Sequence, residues 1–234
     1  MKELSLDYFF SLADFAFLKS VDGKTTPWQC LGLLKDFFAS YKQYKIEIDV
    51  PSSVYLKNPD LISIGKNTII EPGAFIEGPC IIKENCKIRH GAYLRPFVYA
   101  AEGSIIGHAT EVKHSLLLPF SKAAHFAYIG DSILGRDVNL GAGVKCANLR
   151  LDKKPVYFFI GGEKIETNLS KMGAIIGDNT QIGCNVVLNP ATFIGKNTIC
   201  YSSLSLHGMI PQNAIVKSQT KLSIRQKRKE HALA

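Results

Sequence analysis

The chain has 234 residues, 46% of them hydrophobic, with a net charge of +8; this excludes a disordered chain and leaves room for one large folded unit or two small ones. The positive excess suits nucleic acid, a membrane surface or a phosphorylated small molecule, but no nucleic-acid motif accompanies it, and part of it is local. Arg225, Lys227, Arg228 and Lys229 sit in a polar stretch, 217–234, that reads as a solvated basic tail.

No apolar run reaches the 18 or so residues of a membrane helix, and the first residues do not read as a secretory leader. The cysteines, Cys30, Cys80, Cys86, Cys146, Cys184 and Cys200, show neither C-x-x-C nor metal-ligand spacing. Reduced thiols in a cytoplasmic protein are expected.

In chain order, residues 5–18 carry Leu6, Phe9, Phe10, Leu12, Phe15, Phe17 and Leu18 among Ser, Asp and Ala, a pattern that predicts a helix buried on a broad face. A second helix is expected to open at Thr25-Thr26-Pro27, where a hydroxyl cap precedes a proline tolerated in the first turn, and to run to Tyr41. Residues 1–50 are thus read as an N-terminal helical cap covering the open end of the repeats that follow.

From Ile64 the pattern changes. Ile64, Ile70, Ile76, Ile82, Ile88 and Leu94 stand six apart, and the series continues through Ala100, Ile106, Val112 and Leu118 to Ala124, returning as Ile176, Ile182, Leu188, Ile194, Cys200 and Leu206. A helix repeats near 3.6 residues and a strand at 2, so a period of six needs a coil with short flat sides, each unit supplying one side of a triangular turn. The fold expected is all-β: a left-handed parallel β-helix of hexapeptide repeats over 51–216. Glycine often follows the inward residue, as at Gly65, Gly107, Gly177, Gly183 and Gly195, where a tight corner favours it.

Two interruptions stand out. The register slips in steps of five between Ala124, Ile129 and Leu134, and residues 149–173 abandon the pattern for an inserted loop, read as a hairpin turning at Gly161-Gly162. Irregularities in a regular scaffold concentrate at functional sites, which directs attention to 110–150.

That window holds EVKHS (111–115), HFAYIGDSILG (125–135), VNLGAG (138–143) and Asn148. With GAYLRP at 91–96 and NLRLD at 148–152, these segments resemble the acetyltransferase half of the bifunctional enzymes that make UDP-N-acetylglucosamine, and archaeal sugar-1-phosphate nucleotidyltransferases with the same β-helical half. The resemblance spans roughly 60–205, and its most specific part runs from His125 to Asn148.

By that resemblance His125 is the general base that takes a proton from an acceptor amine, a task for which imidazole titrates in the right range. Arg95, Lys113 and Tyr128 are implied acceptor binders, cations and a hydroxyl suited to a phosphate. Asn139 and Asn148 are implied to bind the acceptor or acyl group, although asparagines also stack in β-helices for structural reasons. Ala142, between Gly141 and Gly143, is implied to approach the thiol end of coenzyme A, with Cys184 nearby. Acetyl-CoA is then the acyl donor, an amino sugar phosphate such as glucosamine-1-phosphate the acceptor, UDP-N-acetylglucosamine supply for the cell envelope the use, and a homotrimer the assembly. No G-x-G-T-x-x-x-P-x-x-x-P-K segment occurs here, so nucleotidyl transfer is not expected of these residues.

Two rival readings come from different classes. His108 and His114, six apart, with His90, read as ligands of a zinc site on the same scaffold. Alternatively the solenoid is a non-catalytic partner of a separate nucleotidyltransferase.

Overall fold

An aliphatic residue at every sixth position is buried throughout only if the chain turns a corner every six residues. The computed structural model, which describes residues 4–18, 21–22, 24–219 and 223–224, is such a coil: a left-handed parallel β-helix. The basic run Arg225, Lys227, Arg228 and Lys229 lies outside the described residues.

The first face includes Tyr93–Leu94, Glu111–Lys113, Tyr128–Gly130 and Lys145–Cys146. The second includes Val98–Ala100, Ser115–Leu117, Ile133–Leu134 and Ala174–Ile176, and the third Ile105–His108, Lys122–His125, Asn139–Leu140 and Gln181–Ile182. The third face is an 8-stranded sheet; the other two merge into a 14-stranded one because Val187–Ile194 runs across the corner between them. Ile64, Ile82, Ala100, Leu134, Ile176 and Ile194 stack inside the coil, as the period requires.

Leu118 and Ala124, expected to point inward, do not. Leu117 takes the inward place, paired with Ala100 and Leu134, and Ala123 does so between Ile106 and Leu140. The five-residue steps therefore run from Val112 to Leu117 and from Ile129 to Leu134, both at the corner between the first and second faces. Serines tighten that corner: Ser115 Oγ donates to Lys113 O at 2.8 Å and accepts from Ser132 N, while Ser132 Oγ donates to Gly130 O and accepts from Ala174 N at 2.9 Å. Leu117 and Leu118 are equally apolar, so hydrophobicity alone does not locate the slip.

The glycines that follow inward residues serve the contact between rungs. A Cβ built on Gly107 would lie 1.7 Å from Ala124 O, whereas one on Gly32, exposed in the helix Gln29–Ser40, meets nothing within 4 Å. Opposite signs are expected in thermal unfolding. Gly107→Ala should destabilise by about 1–3 kcal/mol through forced backbone displacement, and Gly32→Ala should stabilise by about 0.4–1 kcal/mol. A melting temperature for Gly107→Ala at or above that of Gly32→Ala would contradict this account.

The N-terminal region forms two short pieces and one helix. The helix expected over 5–18 breaks into Leu6–Phe9 and a 3-10 turn, Leu12–Phe15, because Phe10 is extended (φ −138°, ψ 165°). The second helix, Gln29–Ser40, opens just past the expected Thr25-Thr26-Pro27, with Trp28 at its N-cap and without the expected hydroxyl cap; the Thr26 N–H and hydroxyl both donate to Gln29 Oε1 instead. These elements lie along the outside of the second face, against Ile81, Tyr99, Leu116, Ile133, Ile175 and Phe193. They do not sit over the open end of the coil as expected; Ile46, Ile48, Val50 and Val54 pack against its core instead. The reason is the second face's outward residues, which are apolar and would otherwise be wet.

The insertion is the expected hairpin, Tyr157–Ile160 against Glu163–Glu166. Gly161 and Gly162 turn it at φ 56° and 87°, the left-handed pair a two-residue hairpin needs. Its Phe158 is buried against Trp28 and Phe193, so hairpin and N-terminal region share one core outside the coil.

Candidate active site

Strand register stacks His90, His108 and His125 at the corner between the third and first faces. The rings of His90 and His108 are stacked 5.3 Å apart, 7° from parallel. His90 Nδ1 lies 2.7 Å from Pro72 O and His108 Nδ1 2.9 Å from His90 O; because a carbonyl only accepts, each Nδ1 carries the proton and each Nε2 is the basic atom. His125 is exposed and follows in the same column.

The pairings of Asn139 with Lys122 and with Gln181 continue that column to Ala142 and then Cys184. The base and both donor-side residues implied by the sequence thus occupy three successive rungs of one corner. Cys184 is the one exposed cysteine; the other five are buried, and all six are free. Gly141 and Gly143 serve the fold rather than open a path to Ala142: a Cβ on Gly141 would lie 2.7 Å from Cys184 N, and Gly143 has φ 76°.

Across the corner, Tyr128 begins its first-face strand, and Arg95 and Lys113 occupy equivalent outward positions on successive rungs of that face. Arg95 donates to Glu111 Oε1 at 2.9 Å, a half-exposed pair worth about 0–1 kcal/mol, so its exchange for an incoming anion costs little. Lys113 donates to Asp131 Oδ2 at 3.1 Å, and Asn148 Nδ2 donates to the same oxygen. A Cβ on Gly130 would lie 2.6 Å from Asn148 Nδ2 and 2.7 Å from the Tyr128 hydroxyl, so the glycine lets these two side chains cross the strand and meet. Burial pushes the Tyr128 phenol up, which keeps it a donor.

Lys113, Tyr128 and Asn148 are therefore together, with Arg95 one rung away. Asn139 is not with them; it lies on the third face. Neither Asn139 nor Asn148 belongs to an asparagine ladder, which here runs through left-handed corner residues such as Asn179, Asn197 and Asn213.

The zinc trio does not assemble. His114 sits at another corner, buried, and bonds Asp131 and Leu31 O rather than facing His108. Among the described residues no group of three His, Cys, Asp or Glu side chains is arranged to hold a metal ion.

Asp131 and Glu111 were given no role from sequence, and His114 only that of a zinc ligand. The available signal for Asp131 and His114 was the pair of five-residue steps, at which both adopt left-handed φ (47° and 43°). Burial alone would raise the Asp131 carboxyl, but His114, Asn148 and Lys113 outweigh it and hold the group below its ordinary value of 3.8. A carboxyl lowered on folding contributes stability above its unfolded value and loses it as pH falls through the folded one. The melting-temperature gap between wild type and Asp131→Asn should hold from neutral pH to about 5 and close in more acid solution. A gap that widens with acid would reverse the sign.

Against known proteins, a family model described as "GMPPB C-terminal domain" matches residues 76–168. The chain is 38% identical over 150 residues to a bifunctional sugar-1-phosphate nucleotidylyltransferase/acetyltransferase of Sulfurisphaera tokodaii, covering 56% of this chain and 37% of that protein. It is 34% identical over 178 residues to the bifunctional protein GlmU of Methanococcus aeolicus, covering 71% and 43%. Among solved structures, UDP-N-acetylglucosamine acyltransferase from Campylobacter jejuni aligns with a TM-score of 0.43 at 14% identity, covering 71% of this chain and 69% of that one. The chain spans less than half the length of these two curated relatives. It is a hexapeptide-repeat left-handed β-helix similar to the bifunctional sugar-1-phosphate nucleotidylyltransferase/acetyltransferases.

Proposed function

We propose that the chain is an acyltransferase that moves the acetyl group of acetyl-CoA onto the amine of an amino sugar phosphate, glucosamine-1-phosphate being the first acceptor to test. The observation that carries the reading is the corner column in which His125, Ala142 and Cys184 succeed one another on adjacent rungs, beside Tyr128.

The transfer is direct. The neutral amine attacks the thioester carbonyl, His125 accepts the proton that the amine loses, a backbone N–H stabilises the oxyanion, and the tetrahedral intermediate collapses with cleavage of the C–S bond. The departing thiolate recovers the proton from His125, so base and enzyme are regenerated without an acyl-enzyme. The exposed ring of His125 supplies the nitrogen that acts as the base. Arg95, Lys113 and Tyr128 bind the acceptor phosphate, and Asn148 the sugar.

The assembly is a homotrimer packed through the first and third faces, since the second is covered by the N-terminal region and the hairpin. In that packing Asn139, on the third face, serves a neighbouring copy's site. The organisation proposed is a flanking helical region over 1–50, a β-helix over 51–216 and a basic tail over 217–234, in a cytoplasmic protein; among the described residues no helix is long and apolar enough to cross a membrane.

The test is release of free thiol from acetyl-CoA by purified protein, with and without glucosamine-1-phosphate. Acceptor-dependent release supports the proposal; none across a panel of amino sugar phosphates and acyl chain lengths sinks it. A second reading, a solenoid that only scaffolds a separate nucleotidyltransferase, is favoured by one observation: Arg95, Lys113 and Asn148 are already engaged by Glu111 and Asp131.

A further inference from the structure

The acceptor-side residues converge on a buried carboxylate that the transfer chemistry does not itself use. Asp131 is 4% exposed and accepts hydrogen bonds from His114 Nδ1 at 2.7 Å, from Lys113 Nζ at 3.1 Å and from Asn148 Nδ2. Its backbone is equally committed. Asp131 N–H donates to Lys113 O at 3.1 Å, and Asp131 O accepts from Gly173 N at 2.8 Å, where the insertion rejoins the coil. His114 extends the chain outward, its Nε2 lying 2.8 Å from Leu31 O in the helix Gln29–Ser40. With an acceptor before each nitrogen, the ring makes both bonds only by donating from both.

We propose that Asp131 is the positioning residue of the acceptor side, and that the chain Leu31–His114–Asp131 couples the N-terminal helix to Lys113 and Asn148. The inference rests on the reading of Lys113 and Asn148 as acceptor binders; Asp131 touches no reacting atom. A lysine ammonium on its four-carbon stem has no fixed place unless something behind it holds it, and here one carboxylate oxygen holds it beside the Asn148 amide. The other oxygen is occupied by His114, so the carboxylate's orientation depends on where the helix holds that ring. Such supporting contacts locate binding groups to within fractions of an ångström, and their loss typically costs about tenfold or more.

The test uses the full chain with His114→Gln, Asp131→Asn and the double variant, assayed below their melting temperatures. His114→Gln is the sharper probe, because His114 contacts neither Lys113 nor Asn148 through a hydrogen bond, and it carries the test alone should Asp131→Asn fail to fold. Both single variants are expected to raise the acceptor KM by about tenfold, leaving the acetyl-CoA KM within about twofold, and to speed hydrogen exchange in Gln29–Ser40, with the double variant adding little. A merely structural role would lower the melting temperature without separating the two KM values. Wild-type acceptor KM in His114→Gln overturns the coupling, as does unchanged exchange in all three proteins. Should the wild type transfer to no acceptor, the functional reading fails by itself, and the coupling is then read from acylation of Lys113 by acetic anhydride, quantified by mass spectrometry. A faster reaction at Lys113 in His114→Gln supports the coupling, and an unchanged rate overturns it.

Discussion

Replacing His125 by Ala is expected to lower kcat for acetyl transfer by about 10²–10⁴-fold, the range a positioned general base contributes. The amine of an amino sugar is partly protonated near neutral pH, and the proton that remains must leave as the C–N bond forms; removing the imidazole leaves only water to take it. The side chain is exposed, so the substitution should change stability by no more than about 0.5 kcal/mol, and lost activity would not be lost fold. The control is His108→Ala, one rung earlier in the same column and with its ring stacked on His90. It should retain kcat within about threefold, since only His125 stands beside Ala142 and Tyr128. Equal losses in the two variants, measured as thiol release under saturating substrates, would remove His125 from the role of base and leave the histidine column structural.

The contrast between these two histidines also marks what the sequence could reveal. The period of six is a backbone property, repeated many times, and it identified the coil and most inward residues because each repeat reports on the others. It failed where the repeat shortens: Leu118 and Ala124 continue the arithmetic, but the serine bonds at Ser115 and Ser132 shift the register to Leu117 and Ala123. The turn at Gly161-Gly162 was legible because two adjacent left-handed residues leave few alternatives to glycine.

The side-chain cluster was legible only in part. Lys113, Tyr128 and Asn148, which lie together, were named by a resemblance, whereas Asp131, which holds two of them, was not, since a carboxylate's role depends on donors 17 and 18 residues away and on a helix 83 residues from His114. Asn139 illustrates the converse. Its residue type fits the chemistry, but six-residue arithmetic puts it on another face, away from Lys113, Tyr128 and Asn148.

The position of the N-terminal region was also invisible to pattern, because period says which residues face in but not which outer face is apolar enough to need cover. That cover now has a testable keystone. Phe193 is fully buried on the outer side of the second face, with ring centroids 4.5 Å from Phe158, 5.9 Å from Trp28 and 6.0 Å from Phe9. Phe193→Ala removes the ring on which both the hairpin and the N-terminal region rest, and should cost about 3–5 kcal/mol, a large share of the roughly 5–15 kcal/mol that stabilises a typical domain.

The loss should also be uneven. Hydrogen exchange is expected to quicken over 4–18, 28–40 and 156–172 while the third face stays protected, because the inward stack of Ile182, Leu140 and Ala123 does not include Phe193. If protection falls equally on all three faces, the outer layer and the coil unfold as one unit and the flank has no independent stability. If it falls in the outer layer alone, the helix that presents Leu31 O to His114 is loosened while the coil stands, and acceptor KM should rise in Phe193→Ala although the substitution lies outside the acceptor-side cluster.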